Sequence, residues 1–516
     1  MFFFFISVFL GFFLVSFLFS FFSHYSHRNK SNSLSSFVHG PPSYPIIGCL
    51  ISFYRNRHRL LDWYTHLLSK SATQTIVISR LGARRTVITA NPSNVEFILK
   101  TNFHNFPKGK PFTEILGDLL GCGIFNVDGE LWSEQRKIAS HGFSKRSLKD
   151  FIIKTLEEEV QKRLIPLLES ASNTNQVLDL QDVLKRLTFD SVCKVSLGTD
   201  PCCLDLSQPP PPLVQAFDSA SAISAMRATA LVFLIWKLKR ALNIGSEKSL
   251  KEAIKLVHES VLEIIRNKKK NINTIQDDED LLTRLLLTGY DEVFVRDLVI
   301  SFIMAGRDTT SAAMTWLFWL ISKHPDVEEM IEKEVKQVLE VEEGVKLMKP
   351  FDYKGLKEMN FLKACLCESM RLYPPVAWDS KHAAKDDMLP DGTAVKRGDR
   401  VTYFPYGMGR MEELWGKDCR EFRPDRWFDE PVGDQSRVGT MKQVSPFTFP
   451  VFQAGPRVCL GKEMAHIQMK YVVASIVSRF RIKPVCENQP VFVPLLTAHM
   501  AGGFKVRVYK KSETDT

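Results

Sequence analysis

Apolar residues crowd the start of the chain and become periodic after it. Between Met1 and Ser23 there is no charged residue, and Phe, Leu, Val and Ile dominate. At about 1.5 Å per residue, a helix of this length crosses a hydrocarbon core of roughly 30 Å. A cleaved signal peptide would carry basic residues ahead of a shorter apolar stretch that ends in small residues. Here Arg28 and Lys30 follow the run instead, which predicts a retained anchor over 1–23 (apolar core 2–22) with the downstream side in the cytosol. A polar, Ser/Asn-rich linker over 24–40 then leads to Pro41-Pro42-Ser43-Tyr44-Pro45, whose prolines stiffen the way into a globular region, 41–516.

Within that region, Thr75–Ile78 and Arg85–Thr89 are short β-branched runs on either side of Gly82, the pattern of a hairpin. Residues 147–171 and 246–270 place apolar positions three and four apart with charges between them, which predicts helices. Val295, Leu298, Val299, Phe302 and Ile303 form one stripe of a further buried helix over 293–323. The tetraproline Pro209–Pro212 predicts a loop. Leu231–Trp236 is an apolar run followed by Lys237, Lys239 and Arg240, a pattern that suits either the protein's own core or a second contact with a membrane surface. Gly503–Tyr509 alternates with period two, as a strand does. Many helices and few strands predict a mainly α domain with a small β portion, and there is no internal repeat.

Composition narrows the partners. A chain of 516 residues that is 45% hydrophobic buries a large core. Its ten cysteines contain no CxxC pair and no His/Cys cluster at zinc spacing, and they are too few and too irregular for a secreted disulfide framework. The net charge of +10 suits an anionic membrane or an acidic protein partner. Nucleic acid is disfavoured, because the dense basic run Arg266 with Lys268–Lys270 has no interleaved aromatics.

Candidate chemistry is carried by five short segments. In Phe452-Gln-Ala-Gly455-Pro-Arg457-Val-Cys459-Leu-Gly461, glycines allow a tight turn beneath a flat cofactor. Cys459 would be its axial ligand, and Arg457 suits a propionate. A lone cysteine elsewhere is usually a small core hydrophobe, but no packing requirement asks for this combination at this spacing. Ala305-Gly306-Arg307-Asp308-Thr309-Thr310 sets an acid and two hydroxyls in an apolar helix. Back-bonding by Thr can bend or open a helix and leave room for dioxygen and water, and the alternative is a satisfied Thr pair in a core helix. Glu368 and Arg371, at i and i+3 before Pro374-Pro375, read alone as a surface ion pair. Phe422-Arg423-Pro424-Asp425-Arg426-Trp427 supplies bases that suit a network with them. Trp132 and Arg136 sit one helical turn apart, an aromatic and a cation suited to a carboxylate or to an ordinary amphipathic helix.

Taken together and in this order, these segments resemble the cytochrome P450 family over roughly residues 41–509. The resemblance implies a mainly α fold with a small β domain, and Cys459 as the axial thiolate of a haem b iron. It implies that Trp132, Arg136, Lys381 and Arg457 hold the haem propionates, that Asp308 and Thr309 deliver protons to bound dioxygen, and that Glu368, Arg371 and Arg426 are structural. Because the chain has no Gly-rich dinucleotide fingerprint and no flavin domain, electrons are expected from NADPH through a separate membrane-bound cytochrome P450 reductase. The expected location is the endoplasmic reticulum membrane, with the catalytic domain in the cytosol.

More finely, Phe106-Pro-Lys-Gly109, Leu120–Phe125, Val376–Lys381, Tyr403–Arg410 and Leu495–Gly502 are similar to the plant fatty-acid ω-hydroxylase group. The wording Ala377-Trp378-Asp379-Ser380-Lys381-His382 looks most like a subgroup that hydroxylates jasmonoyl–isoleucine at carbon 12. Medium- and long-chain fatty acids are the alternative substrates. By family position, Phe112, Leu116, Ile303, Ala305, Val376, Ala377, Trp378, Leu495 and Leu496 are pocket candidates. Some relatives carry a glutamate before the helix glycine that is esterified to haem; Ala305 stands there in this chain, so non-covalent haem is expected. Two readings of other classes are a P450-like isomerase that consumes no oxygen and a haem sensor, and neither needs the acid–threonine pair.

Overall fold

The structure is a computed structural model that describes residues 40–144, 146–229, 233–270, 280–287, 289–341, 351–429 and 440–511. The expected anchor at 1–23 lies outside the described residues, as does the linker up to residue 39. Among the described residues, no helix is long and apolar enough to cross a membrane.

The predicted hairpin forms from β1 (Thr75–Ile78) and β2 (Thr86–Thr89), paired antiparallel with Gly82 at φ +74° between them. Chain that is remote in sequence completes the sheet. The order is β1-β2-β7-β4, with β4 at Asp379–His382 and β7 at Arg400–Tyr403. β2 and β7 run parallel, Thr86 opposite Arg400, and β4 is antiparallel to β7, His382 opposite Arg400. A second sheet joins β3 (Leu178–Asp179), β11 (Lys505–Lys510) and β8 (Phe480–Pro484). The predicted C-terminal strand therefore begins two residues late, because Gly503 takes φ +80° and lies where a Cβ would meet the Asp179 carboxylate.

The helices that position the site are α1 (Lys110–Leu120), α2 (Gly129–Ser144), α3 (Arg146–Glu159), α4 (Leu180–Leu197), α5 (Pro212–Thr229), α6 (Phe233–Leu242), α7 (Ser246–Lys270), α8 (Glu292–Ile321), α9 (Asn360–Leu372) and α10 (Lys462–Val477). α7 has the predicted bounds. The helix expected over 147–171 is interrupted: α3 passes into a π turn at Val160–Leu164 before helix resumes at Ile165. Pro166 explains this, since it has no N–H to donate one turn back. Pro212 belongs to the first turn of α5 rather than to the loop, a position where a missing N–H is harmless.

α8 is the central strut. Asp291 caps it by accepting the Val293 and Phe294 amides at 2.9 and 3.0 Å. Residues on most of its surface are buried, as an apolar helix in the middle of a large core requires. One apolar cluster lies between α8, α9 and α10, a second between α1, α4, α7 and the first half of α8, and a third under the four-stranded sheet. The apolar run near residue 235 divides its allegiance. Trp236 is buried with the Arg227 guanidinium 4.8 Å over its ring, whereas Ile235, Leu238 and Leu242 are more than half exposed on one side of α6.

Candidate active site

The loop ahead of α10 is built to present one sulfur. Gly455 turns at φ +63°, and a Cβ there would lie 2.1 Å from the Leu99 carbonyl oxygen, so only glycine fits. The Cys459 amide donates to the Phe452 carbonyl at 2.8 Å and closes the loop. Gly461 differs from expectation: its φ is ordinary, and its Cβ position opens into free space along the cavity wall. Cys459 lines a cavity of about 540 Å³ and is accessible there. Surrounding protein withdraws the thiol from bulk water and raises its pKa, against the pull of the Gly461 amide, Arg136 and Lys462.

The opposing wall is α8, through Ala305, Gly306, Thr309, Thr310 and Ala313. The helix runs unbroken through this stretch. Thr309 Oγ1 donates to the Ala305 carbonyl at 2.6 Å, the back-bond expected of a threonine in this position. Gly306 has a packing reason as well, because a Cβ there would sit 2.8 Å from Val192 of α4. Asp308 does not line the cavity. Its buried Oδ1 accepts no hydrogen bond and faces Arg307 Nε at 3.6 Å, while Arg307 Nη1 lies 2.8 Å from Asp218 on α5.

The cations expected to hold propionates fare differently. Arg136 lines the cavity and has no hydrogen-bond partner among the described residues. Arg457 also lines it, stacks 4.5 Å over the Trp132 ring and is held by Asp128 at 2.7 Å. Trp132 packs against Arg457 and is not itself at the wall. Lys381 is a correction: it is buried, bonded to Asp379 at 2.9 Å and off the cavity wall, although Asp379, Ser380 and His382 of the same strand line it. Sequence reasoning missed Lys108 and His382, both on the wall. Burial pushes Lys108 down to about 7, with Asp379 the main opposing charge. His382 Nδ1 meets the Lys108 carbonyl oxygen, and its buried Nε2 has no hydrogen-bond partner. Lys108 was visible only as part of a Pro-Lys-Gly turn.

Glu368 and Arg371 are fully buried rather than at the surface, and they join Arg426 in one network. Glu368 accepts from Arg371 at 2.7 and 2.8 Å, from Arg426 Nε at 2.8 Å, and from Trp427 Nε1 and the Arg423 amide at 2.9 Å. Arg371 also donates to the carbonyls of Gly409, Cys419 and Glu421. It fastens α9 to the chain that leads to the cysteine loop.

Of the pocket candidates, Phe112, Leu116, Ala305, Val376, Trp378, Leu495 and Leu496 line the cavity. Ile303 and Ala377 do not. Ile303 points into the apolar cluster behind α8, and Ala377 packs under the four-stranded sheet. The residues fit a haem group. Cys459 lies on one wall and small side chains on the other, with open space at Gly461, and the basic side chains of Arg136, Lys108 and the Asp128-held Arg457 line the cavity, where they suit carboxylates.

Fold and site agree with the comparisons. The family model for cytochrome P450 matches residues 38–500, and the chain belongs to the cytochrome P450 family. That membership carries a haem iron cofactor, a redox partner and a small-molecule substrate, and it makes the chain a monooxygenase-type oxidoreductase. Within the family it stands with the 94 group of plants. It is 62% identical to cytochrome P450 94B1 of Arabidopsis thaliana over 479 residues, 92% of each chain. It is 59% identical to cytochrome P450 94B3 of the same plant over 506 residues, 98% of each chain. Cytochrome P450 94A2 of Vicia sativa is 47% identical over 481 residues, 92% of this chain and 91% of that one.

Proposed function

We propose that this chain hydroxylates the terminal carbon of a lipid-derived carboxylate, with jasmonoyl–isoleucine 12-hydroxylation, a step in jasmonate hormone turnover, as the first reading and ω-hydroxylation of medium- or long-chain fatty acids as the second. One observation carries it: Cys459, the Ala305–Thr310 wall of α8 and a mostly apolar lining share one cavity. Haem b, when bound, supplies the activation of dioxygen and the oxidising power to functionalise an unactivated C–H bond.

The protein's part is to bind, orient and move protons. Cys459 would ligate the iron, and Arg136, Lys108 and Arg457 would meet the propionates. With Ala305 in place of a carboxylate, nothing on α8 esterifies the group. Thr309 holds its hydroxyl at the cavity wall, and Asp308, one residue back and off the wall, keeps an oxygen that accepts no hydrogen bond and faces Arg307 at 3.6 Å; these two residues are assigned proton delivery. A terminal C–H bond is stronger than its neighbours, so Phe112, Leu116, Val376, Trp378, Leu495 and Leu496 must admit only the chain end. Asp308 and Thr309 also favour a monooxygenase over an isomerase or a sensor.

Electrons come from NADPH through cytochrome P450 reductase, and the net charge of +10 suits docking to an acidic partner. The enzyme sits on the endoplasmic reticulum membrane through residues 1–23, and Ile235, Leu238 and Leu242 of α6 give it a second contact. The test supplies microsomes containing the chain with reductase, NADPH, jasmonoyl–isoleucine and dodecanoic acid. Hydroxylated jasmonoyl–isoleucine is the expected product; conversion of the fatty acid alone selects the second reading, and turnover of neither rejects both. Cys459→Ala abolishes the absorption typical of carbon monoxide on thiolate-ligated haem, and an unchanged spectrum in a haem-replete variant refutes the ligand assignment.

A further inference from the structure

The cavity that reaches Cys459 also runs along the four-stranded sheet, past Phe53, Leu60, Tyr64, Ile78 and Ile88. Two arginines open into it there. Arg400 begins β7 opposite Thr86 of β2, and Arg80 follows β1 at the start of the hairpin turn. Neither guanidinium makes a hydrogen bond or an ion pair among the described residues. Arg80 Nη1 is buried without a partner, and its guanidinium lies 3.8 Å over the Phe53 ring. The acids nearby are already engaged. Asp399 pairs with Arg85, and Asp62 accepts the Tyr406 hydroxyl at 2.8 Å. The Tyr64 phenol, also without a hydrogen-bond partner, lies in the field of both arginines. Arg84 adds a further positive charge beside Arg400.

Like charges withdrawn from water and left unpaired oppose folding, and an anion that joins them removes the conflict. A guanidinium presents a fork that matches a carboxylate. These arginines are distinct from the cations at the cysteine end. Cys459 responds to Arg136 and Lys462, and Arg457 to Asp128, Asp379 and Arg136, whereas Arg400 responds to Arg80, Tyr64 and Arg84. His382, opposite Arg400 in the sheet, joins the two regions.

We propose that Arg80 and Arg400, with the Tyr64 hydroxyl, form the anion site that receives the substrate's carboxylate while its apolar chain extends along the cavity toward Cys459. This deepens the reading of the substrate as a lipid-derived carboxylate and rests on it. A substrate held at its acid end, with an apolar wall leading inward, presents its far end to the reactive centre, which is what terminal hydroxylation requires.

The test uses the full-length haem-loaded chain in detergent and follows the spectral shift on titration with dodecanoic acid, jasmonoyl–isoleucine and the methyl ester of each. Arg80→Gln and Arg400→Gln are each expected to raise the Kd of the acids about tenfold or more, the loss of a charge-assisted hydrogen bond, and to leave ester binding within about twofold. The acid that loses more is the one the site is built for. Unchanged acid binding in both variants, or equal weakening of acids and esters, overturns the site. Should Arg400→Gln take up no haem, Arg80→Gln and the charge-keeping Arg400→Lys decide: unchanged acid binding in Arg80→Gln refutes the site, and selective weakening supports it. A wild type that turns over neither acid overturns the proposed function, yet an arginine-dependent preference for acid over ester in binding still supports the anion site.

Discussion

Replacing Glu368 by alanine tests what holds the cysteine loop in place. The carboxylate is wholly buried and accepts from two nitrogens of Arg371, from Arg426, from the Trp427 indole and from the Arg423 amide. Removing it leaves Arg371, also wholly buried, with only the carbonyls of Gly409, Cys419 and Glu421, and leaves Arg426 with Asp418 and the Trp415 carbonyl. Breaking a buried pair by deleting one partner costs about 3–5 kcal/mol, because an uncompensated charge stays inside. Against a total of roughly 5–15 kcal/mol that is about a fifth or more of the stability. The expected outcome is poor accumulation of haem-loaded protein, and a midpoint lower by about 3–5 °C in whatever folds. The assay heats membranes and follows the absorption of the carbon monoxide complex. Glu259→Ala is the control, since its pair with Lys255 at 3.8 Å is exposed and such pairs contribute little. Normal haem uptake and a midpoint within about a degree of that control would refute the account.

Three further outcomes follow from the geometry. Thr309→Ala removes the hydroxyl bonded to the Ala305 carbonyl and is expected to uncouple NADPH consumption from product while substrate binding persists; full coupling, measured as product per NADPH, would point to another proton route. Gly455→Ala places a Cβ against the Leu99 carbonyl at a positive φ and is expected to prevent haem uptake, read from the haem-to-protein absorbance ratio, whereas Gly461→Ala, with open space at its Cβ, should not distort the loop. Burial holds His382 down at about 4 and His466 down at about 3, so on acidification the unfolded chain takes those protons first. Stability should therefore fall as pH drops from about 6.5 toward 4, by up to about 1.4 kcal/mol per unit for each group; His382→Gln should flatten the slope in denaturant melts between pH 7 and 5, and an unchanged slope would remove it from the account.

The parts legible in the sequence are those whose physics is local. The Cys459 loop is ten consecutive residues, and its requirement for Gly455 follows from one backbone approach. α7 and α8 declare themselves by period, and the β1–β2 hairpin by β-branched runs about a turn. What was not legible depends on remote chain. Glu368 and Arg371 have the spacing of a surface pair, and only the return of residues 409–427 over α9 buries them. Lys381 carries the charge a propionate needs, but its ammonium is bonded to Asp379. Ile303 shares a helix with Ala305, yet the two face opposite sides of α8.

The same distinction explains why reaction class and substrate are read so differently. The groups proposed for haem ligation and proton handling lie on two contiguous segments, 305–310 and 452–461, so a motif can hold them. The wall that selects a substrate is gathered from α1, α8, the strands β1, β2, β4 and β7, and the turn at Pro494–Thr497. Parallel pairing of β2 with β7 is what brings Arg400 to the end of the sheet where Arg80 leaves β1, although more than three hundred residues separate them in the chain. Neither arginine has a neighbour in sequence that marks it as more than a surface charge; Arg80, Arg84 and Arg85 read as a basic turn. Only their burial beside an apolar channel, with every adjacent acid already spent, turns two unremarkable arginines into a site. Substrate choice in this fold should therefore change by substitution at the sheet end of the cavity, at Arg80, Arg400 and Tyr64, without disturbing Cys459, the proposed haem ligand.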